Sequence, residues 1–389
     1  MLAGENGISK ITAFDASGFA AQIAASADWQ PFDHFDERDT KKLDWFTMLA
    51  LVASDEALRD AGLDDMASWD EPKRERIGCI IGTGIGGIQG IESQYDILLE
   101  RGPRRVSPHF IPKIMANAVS GQVAIRHGVL GTTFTTSSAC ASSAHAIGMA
   151  LMAIRSGEVD MVLTGGAEAA TTPLSVGGFS SAKALSTRND EPELACRPFD
   201  LNRTGFVMGE GAGILVFEEF EAAKQRGAKI YAEVKGYGST DDAFHITAPK
   251  EDGSGPARAF ELALRTGNVD PNTIDYINAH GTSTKFNDEI ESRAIRRCFG
   301  DHADKLCVSS TKSMIGHLLG ASSAVELVAT AMSIHRGAVH PTRNYETPDP
   351  ECDLDYVPNE ARELEIRNAL SNSLGFGGHN VSICLGTPD

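Results

Sequence analysis

The 389-residue chain is sparing in cysteine and in positive charge, and it has no long apolar run. Its seven cysteines, an odd number with no CxxC pair, exclude a disulfide scaffold and a zinc ribbon and read as reduced thiols of a reducing compartment. Lys and Arg number 35 against 53 Asp and Glu, a formal net charge of −18. Bulk attraction to nucleic acid or anionic lipid is thereby excluded, and an acidic partner would need a local basic patch. No stretch approaches the roughly 18 apolar residues of a membrane span. Met1 opens no basic and apolar leader, so the expected setting is cytoplasmic. Low-complexity linkers are also missing. The chain is 42% hydrophobic and 23% charged, enough apolar material for a sizeable core, and its 39 glycines imply several tight turns or close backbone approaches.

Short apolar runs alternate with longer amphipathic stretches, which predicts an α/β fold with strands buried on both faces. Strands are expected at 77–81, 161–163, 213–217, 230–234, 274–277, 307–310, 369–373 and 381–385. Helices are expected at 45–61, 141–155, 255–265, 288–297 and 322–335. Residues 140–159 (CASSAHAIGMALMAIRSGEV) align without gaps to residues 320–339 (GASSAVELVATAMSIHRGAV). Small and apolar residues recur in any buried helix, but an offset close to half the chain favours duplication into two similar α/β halves. We place the division at 226/227, the first half carrying the nucleophile described next.

The first repeat helix opens at SSACASS, Ser137 to Ser143. Free amides at a helix N-terminus are expected to lower the pKa of Cys140 and make it a nucleophile; the structural alternative is a small packed thiol. Two segments, NAHGTST (Asn278–Thr284) and SSTKSMIGHLLGAS (Ser309–Ser322), place His280, Lys312 and His317 just after strands, where α/β folds assemble sites. No histidine pair has a metal-ligand spacing, so no metal is expected. GTGIGG (Gly82–Gly87) matches GxGxxG but lacks an acidic partner about 20 residues on, and is not read as a nucleotide site. In SLGFGGHN (Ser373–Asn380) the glycines would let an amide approach a reacting oxygen, with Phe376 as a movable plug.

These strings, with ALSTRND (Ala184–Asp190) and RPFD (Arg197–Asp200), stand in the order and spacing of one family. The chain resembles the elongating β-ketoacyl-acyl-carrier-protein synthases, in particular the synthase II group, over essentially its whole length. The resemblance implies the thiolase-like fold, a duplicated five-layered α-β-α-β-α arrangement working as a homodimer. It implies that Cys140 holds an acyl thioester, while His280 and His317 stabilise the enolate of a decarboxylating malonyl group. Lys312 would support them, with Glu326, Asp288 and Glu291 as carboxylate partners, and the amides of Cys140 and Phe376 would form an oxyanion hole. Thr247, Thr282 and Thr284 match residues that hold a phosphopantetheine arm, and Ile91 and Phe376 match residues that line and gate an acyl pocket. Arg38, Lys41, Lys42, Arg104, Arg105 and Lys183 match the patch that docks acyl carrier protein. No cofactor of the enzyme's own is implied, the substrates riding on the carrier's phosphopantetheine.

The chain departs from that pattern at its start, where the family's usual first strand and helix are absent before LAGENGIS (Leu2–Ser9). A sheet edge would be left open. Lys285 and Asn287 replace a usual Pro and Gly, and His379 a usual Thr. Two further readings stand beside the condensing enzyme: a non-catalytic or truncated partner subunit of the same fold, and a Cys-His hydrolase. A type II polyketide ketosynthase is the neighbouring alternative within the family.

Overall fold

The computed structural model describes residues 1–388 and resolves the expected alternation into two main sheets. In the first half, β1 (Ile77–Gly82), β2 (Thr133–Thr136), β3 (Met161–Glu168) and β4 (Gly211–Glu218) run in the order β2-β1-β3-β4. In the second, β5 (Glu233–Asp241), β6 (Ile274–Asn278), β7 (Cys307–Ser309), β8 (Asn368–Gly375) and β9 (His379–Gly386) run β5-β9-β8-β6-β7. The inner pairs β1–β2, β1–β3, β6–β7 and β6–β8 are parallel, and β3–β4, β8–β9 and β9–β5 are antiparallel. Every residue of β1 and β3 is buried, which is why these strands appear as unbroken apolar or small-residue runs.

Six helices complete the layers: α1 (Trp45–Ala61), α2 (Ala118–His127), α3 (Ser142–Arg155), α4 (Ser254–Gly267), α5 (Lys285–Phe299) and α6 (Ser322–Arg336). α1 is typical of how they form. Asp44 caps its N-terminus by accepting from the Trp45 amide, Gly62 ends it at φ +68°, and Phe46, Met48, Leu51 and Leu58 face the core. α1 and α2 cover the outer face of the first sheet, α4 and α5 that of the second, and α3 and α6 pack against each other between the sheets. The result is the five-layered thiolase-like fold. α3 and α6 start 180 residues apart, at Ser142 and Ser322, so the sequence repeat is a structural one. They meet through small residues: Ser143 Oγ accepts from the Ala324 amide (3.1 Å), and Ser323 Oγ donates to the Cys140 carbonyl (3.3 Å).

One strand differs from expectation. The apolar run at 230–234 predicts a strand there, but β5 occupies Glu233–Asp241 and carries Gly236 and Gly238. A Cβ on these glycines would lie 2.0 Å from the Ala263 carbonyl and 2.1 Å from that of Ala259. The α4 backbone rests directly on the strand, so close packing, not apolar content, selects the residues. The expected division at 226/227 falls between the short Phe220–Gln225 helix and β5. The repeat also exposes an asymmetry: β5 covers the outer edge of β9, whereas among the described residues no strand covers the corresponding edge of β4.

Candidate active site

Cys140 sits in a strained turn between β2 and α3. Ala139 adopts φ +50°, and Ser142 Oγ braces the turn by accepting from the Ser138 amide (2.9 Å) and donating to the Ala139 carbonyl (2.6 Å). The strand ends press on it: a Cβ on Gly82 would lie 2.4 Å from the Ser143 nitrogen, so only glycine lets β1 approach.

The second half brings both expected histidines to the thiol. His317 Nε2 lies 3.0 Å from Cys140 Sγ, the His280 and His317 rings meet edge to face at 5.3 Å, and both are 2% exposed. Their hydrogen bonds assign the tautomers. The Leu319 amide donates to His317 Nδ1 (3.2 Å), and the Lys312 ammonium stands 3.4 Å from His280 Nδ1. Each Nδ1 is therefore an acceptor, and each ring carries its proton on Nε2. Ser322 Oγ is also at His317 Nδ1 (2.8 Å). Burial, then the charge of Lys312, holds both imidazoles well below their ordinary pKa, so they are neutral donors at neutral pH.

Lys312, 1% exposed, pairs with Glu326 Oε1 and donates to the His280 carbonyl (2.6 Å). The expected lowering of the Cys140 pKa is reversed. Burial pushes the thiol up to about 11, against the weaker pull of Lys312 and of the Phe376 and Cys140 amides. Cys140, His280 and His317 have ligand-type atoms all within 4.8 Å of one another, a set that could hold a metal ion. The Lys312 ammonium beside His280 opposes a cation there.

The other two carboxylates expected to partner Lys312 do not. Glu291 accepts from the amides of His280 and Gly281 (both 2.8 Å), and its pKa rises to about 7 through burial. Asp288 accepts from the Thr282 (3.0 Å) and Phe199 (2.8 Å) amides and faces Arg203 at 3.6 Å. Both lie near the start of α5, below the 280–284 loop, and the loop's unpaired amides claim them. They position His280 rather than neutralise Lys312.

Thr282 is buried and Thr284 half-buried, their hydroxyls 2.8 Å apart, whereas Thr247 lies in the exposed loop after β5 with its amide on His245 Nδ1 (3.1 Å). Phe376, 38% exposed, tips the β8–β9 turn, and a Cβ on Gly375 would be 3.3 Å from the Cys140 nitrogen, so this turn and that of Cys140 share one space. Ile91 is on the exposed side of the 88–101 helix. Arg38, Lys41 and Lys42 line one surface cleft with His109 and Lys113; Arg104 and Arg105 lie in a short turn just before Ser107, another lining residue. Lys183 is exposed at φ +56°.

Sequence reasoning missed Glu168. Fully buried at the end of β3, it accepts from Thr83 Oγ1 (3.0 Å) and from the amides of Gly84 (2.7 Å), Ile85 (3.2 Å), Gly86 (3.3 Å) and Gly320 (3.0 Å). GTGIGG thus binds a carboxylate of its own chain rather than a phosphate, and Ser137 Oγ donates to Gly84 O (3.4 Å), placing this loop beside the nucleophile turn. The available signal was an acidic residue at a strand end.

A thiol, two neutral Nε2–H donors, a buried lysine and a glycine turn bearing an amide define an acyl-transfer site. The comparisons with known proteins agree. Residues 1–223 match the N-terminal domain of beta-ketoacyl synthase and residues 231–346 its C-terminal domain. The chain is 50% identical to 3-oxoacyl-[acyl-carrier-protein] synthase 2 of Synechocystis sp., over 99% of this chain and 92% of the relative. It is 48% identical to the Staphylococcus aureus enzyme of that name, over 98% and 93%. Among solved structures, a beta-ketoacyl synthase from Burkholderia phymatum superposes with TM-score 0.90 at 36% identity, covering 99% of this chain and 93% of that one. A type II polyketide ketosynthase in complex with its acyl-carrier protein gives TM-score 0.90 at 36% identity, covering 100% and 93%. The chain belongs to the β-ketoacyl synthase family. It is an acyltransferase of the elongating type.

Proposed function

We propose that Cys140, His280, His317 and Lys312 carry out the decarboxylative condensation of a malonyl group with an acyl group, both delivered by acyl carrier protein. In the first half-reaction the Cys140 sulfur attacks the acyl thioester carbonyl. The oxyanion is held by the Cys140 and Phe376 amides, and the proton of Cys140 leaves on the carrier's thiol. Malonyl thioester then binds with its carbonyl oxygen on the two Nε2–H groups. Loss of CO₂ drives an electron pair onto that oxygen, where two preorganised donors in a water-poor site stabilise the enolate. The enolate carbon attacks the Cys140 thioester, the tetrahedral oxyanion collapses, and the thiolate leaves and takes up one proton. Burial, and then the Lys312 ammonium behind His280, disfavours protonation of the pair and preserves it as donors. The observation carrying this reading is the common Nε2–H tautomer of two buried histidines beside one thiol.

An acidic carrier docks, on this reading, at the cleft of Arg38, Lys41 and Lys42, extended by Arg104 and Arg105, with Lys183 as a further cation. The pantetheine arm follows Thr282 and Thr284, and the loop of Thr247. The similar ketosynthase solved in complex with its own acyl-carrier protein supports such a partner. A second copy of the chain pairs along β2, an exposed edge strand bearing Phe134, with exposed Ile111, Met115 and Ile125 in the segments before it. A setting in the cytoplasm suits seven unpaired thiols, and among the described residues no helix is long and apolar enough to cross a membrane.

Intact-mass and product assays test the chemistry. Purified protein given acyl and malonyl carrier proteins should gain an acyl adduct, absent in Cys140→Ala, then release CO₂ and a product two carbons longer. A stable, folded protein with neither adduct nor CO₂ would favour the non-catalytic partner reading instead.

A further inference from the structure

Among the described residues, Cys140, His280 and His317 are the one cluster with the donor set and spacing of a metal centre. Their ligand-type atoms all lie within 4.8 Å of one another, and His317 Nε2 is already 3.0 Å from the Cys140 sulfur. A tetrahedral zinc ion with bonds of about 2.0–2.3 Å holds its ligands roughly 3.3–3.8 Å apart, so small side-chain shifts would close the three around it. Thiolate and imidazole are ligands that zinc favours. What surrounds the three residues, however, is the reverse of what a metal needs. A metal-bound imidazole normally donates its other ring N–H to a carboxylate, a carbonyl or water. For Nε2 to take a metal, the ring proton must move to Nδ1. At His280 it would then point at the Lys312 ammonium, 3.4 Å away, and at His317 it would meet the Leu319 amide N–H, 3.2 Å away. Ser322 Oγ, 2.8 Å from His317 Nδ1, can rotate to accept a proton; an ammonium and an amide N–H cannot.

Charge opposes a metal as well. Zinc bound to one thiolate keeps one positive charge in excess, and the carboxylates near the site are already engaged. Glu326 pairs with Lys312, Glu291 accepts from the His280 and Gly281 amides, and Glu168 accepts from Thr83 Oγ1 and four amides. We propose that Lys312 guards Cys140, His280 and His317 against thiophilic divalent cations, zinc above all, by denying His280 the tautomer a metal requires and by placing a positive charge behind it. The ammonium that keeps the His280 Nε2–H available to a substrate oxygen thus also keeps the thiol free of metal. Metal exclusion follows from ligand geometry and charge, whether or not the three residues perform acyl transfer.

The test uses cobalt(II), a zinc surrogate whose bond to a thiolate gives a charge-transfer absorption band. It is titrated at neutral pH into the wild type, Lys312→Gln, and Lys312→Gln combined with Cys140→Ala. Glutamine keeps a donor for Glu326 and offers His280 Nδ1 an acceptor. Lys312→Gln should bind cobalt at least about tenfold more tightly than the wild type, and the band should vanish with the thiol. Lys312 also pulls the Cys140 pKa down, so its loss alone would weaken a thiolate bond, and a gain in affinity reports the guard. Equal affinities, tighter binding by the wild type, or a band that survives Cys140→Ala overturns the proposal. Should Lys312→Gln not fold, Lys312→Met with Glu326→Gln removes both buried charges together and carries the same test. The wild type gives an independent check. Micromolar zinc should leave the rate of Cys140 alkylation by iodoacetamide unchanged, and protection of the thiol by zinc would equally overturn the proposal.

Discussion

At the scale of single residues, the site works by withholding charge. His280 and His317 are kept neutral and Cys140 is kept protonated, all three by burial, while the one full cation, Lys312, is matched by Glu326. A thiol at about pKa 11 predicts that alkylation of Cys140 by iodoacetamide accelerates steadily from pH 7 to pH 10, because the thiolate fraction grows about tenfold per unit. A plateau near pH 7 in the rate profile would contradict it. Lys312→Met removes the charge that pulls the thiol down, so alkylation should be slower at each pH. The four central residues were legible because each lies in a distinctive string. The partners of the lysine were not: Asp288 and Glu291 stand close to His280 in sequence, but which donor a carboxylate faces depends on the loop folded over it.

At the scale of elements, glycine decides where strands can lie. Gly238→Ala would drive a Cβ to 2.1 Å from the Ala259 carbonyl and 2.5 Å from the Ala263 nitrogen, both backbone atoms of α4. We expect a loss of at least about 3 kcal/mol in urea unfolding, at the upper end of overpacking costs. Gly227→Ala, with φ +72° but nothing within 4 Å, should cost only about 1 kcal/mol. Similar losses for the two would show that α4 yields. This packing also explains why the apolar pattern misplaces β5: a strand chosen for lack of side chains leaves no apolar signature. The parallel strands β1 and β3, by contrast, stand out as apolar runs, and α3 and α6 through their repeat.

For the whole molecule, the balance of charge poses the main question, since a protein of net charge −18 is read as binding an acidic carrier. Lys41 and Lys42 already have intramolecular partners, Glu37 at 2.7 Å and Asp39 at 3.3 Å, so docking must exchange one carboxylate for another. Lys41→Glu combined with Lys42→Glu should weaken carrier binding about tenfold at low ionic strength, with the difference vanishing at roughly 0.5 M salt. Surface plasmon resonance would read both; a difference that persists at high salt would place the contact elsewhere. Circular dichroism of the double variant should be unchanged, because Lys41 is exposed and Lys42 half-exposed at the surface.

The amino-acid sequence determined the α/β class, the duplication and the thiol, two histidines and lysine of the candidate site, because runs, repeats and motif strings are local properties of a chain. Tertiary structure alone decided the proton positions on His280 and His317, the direction of the Cys140 shift and the part played by Glu168. Its five donors come from the Thr83–Gly86 loop and from Gly320, in the other half of the molecule. Burial and hydrogen-bond partners arise only when distant segments meet, and these set the charge of a group.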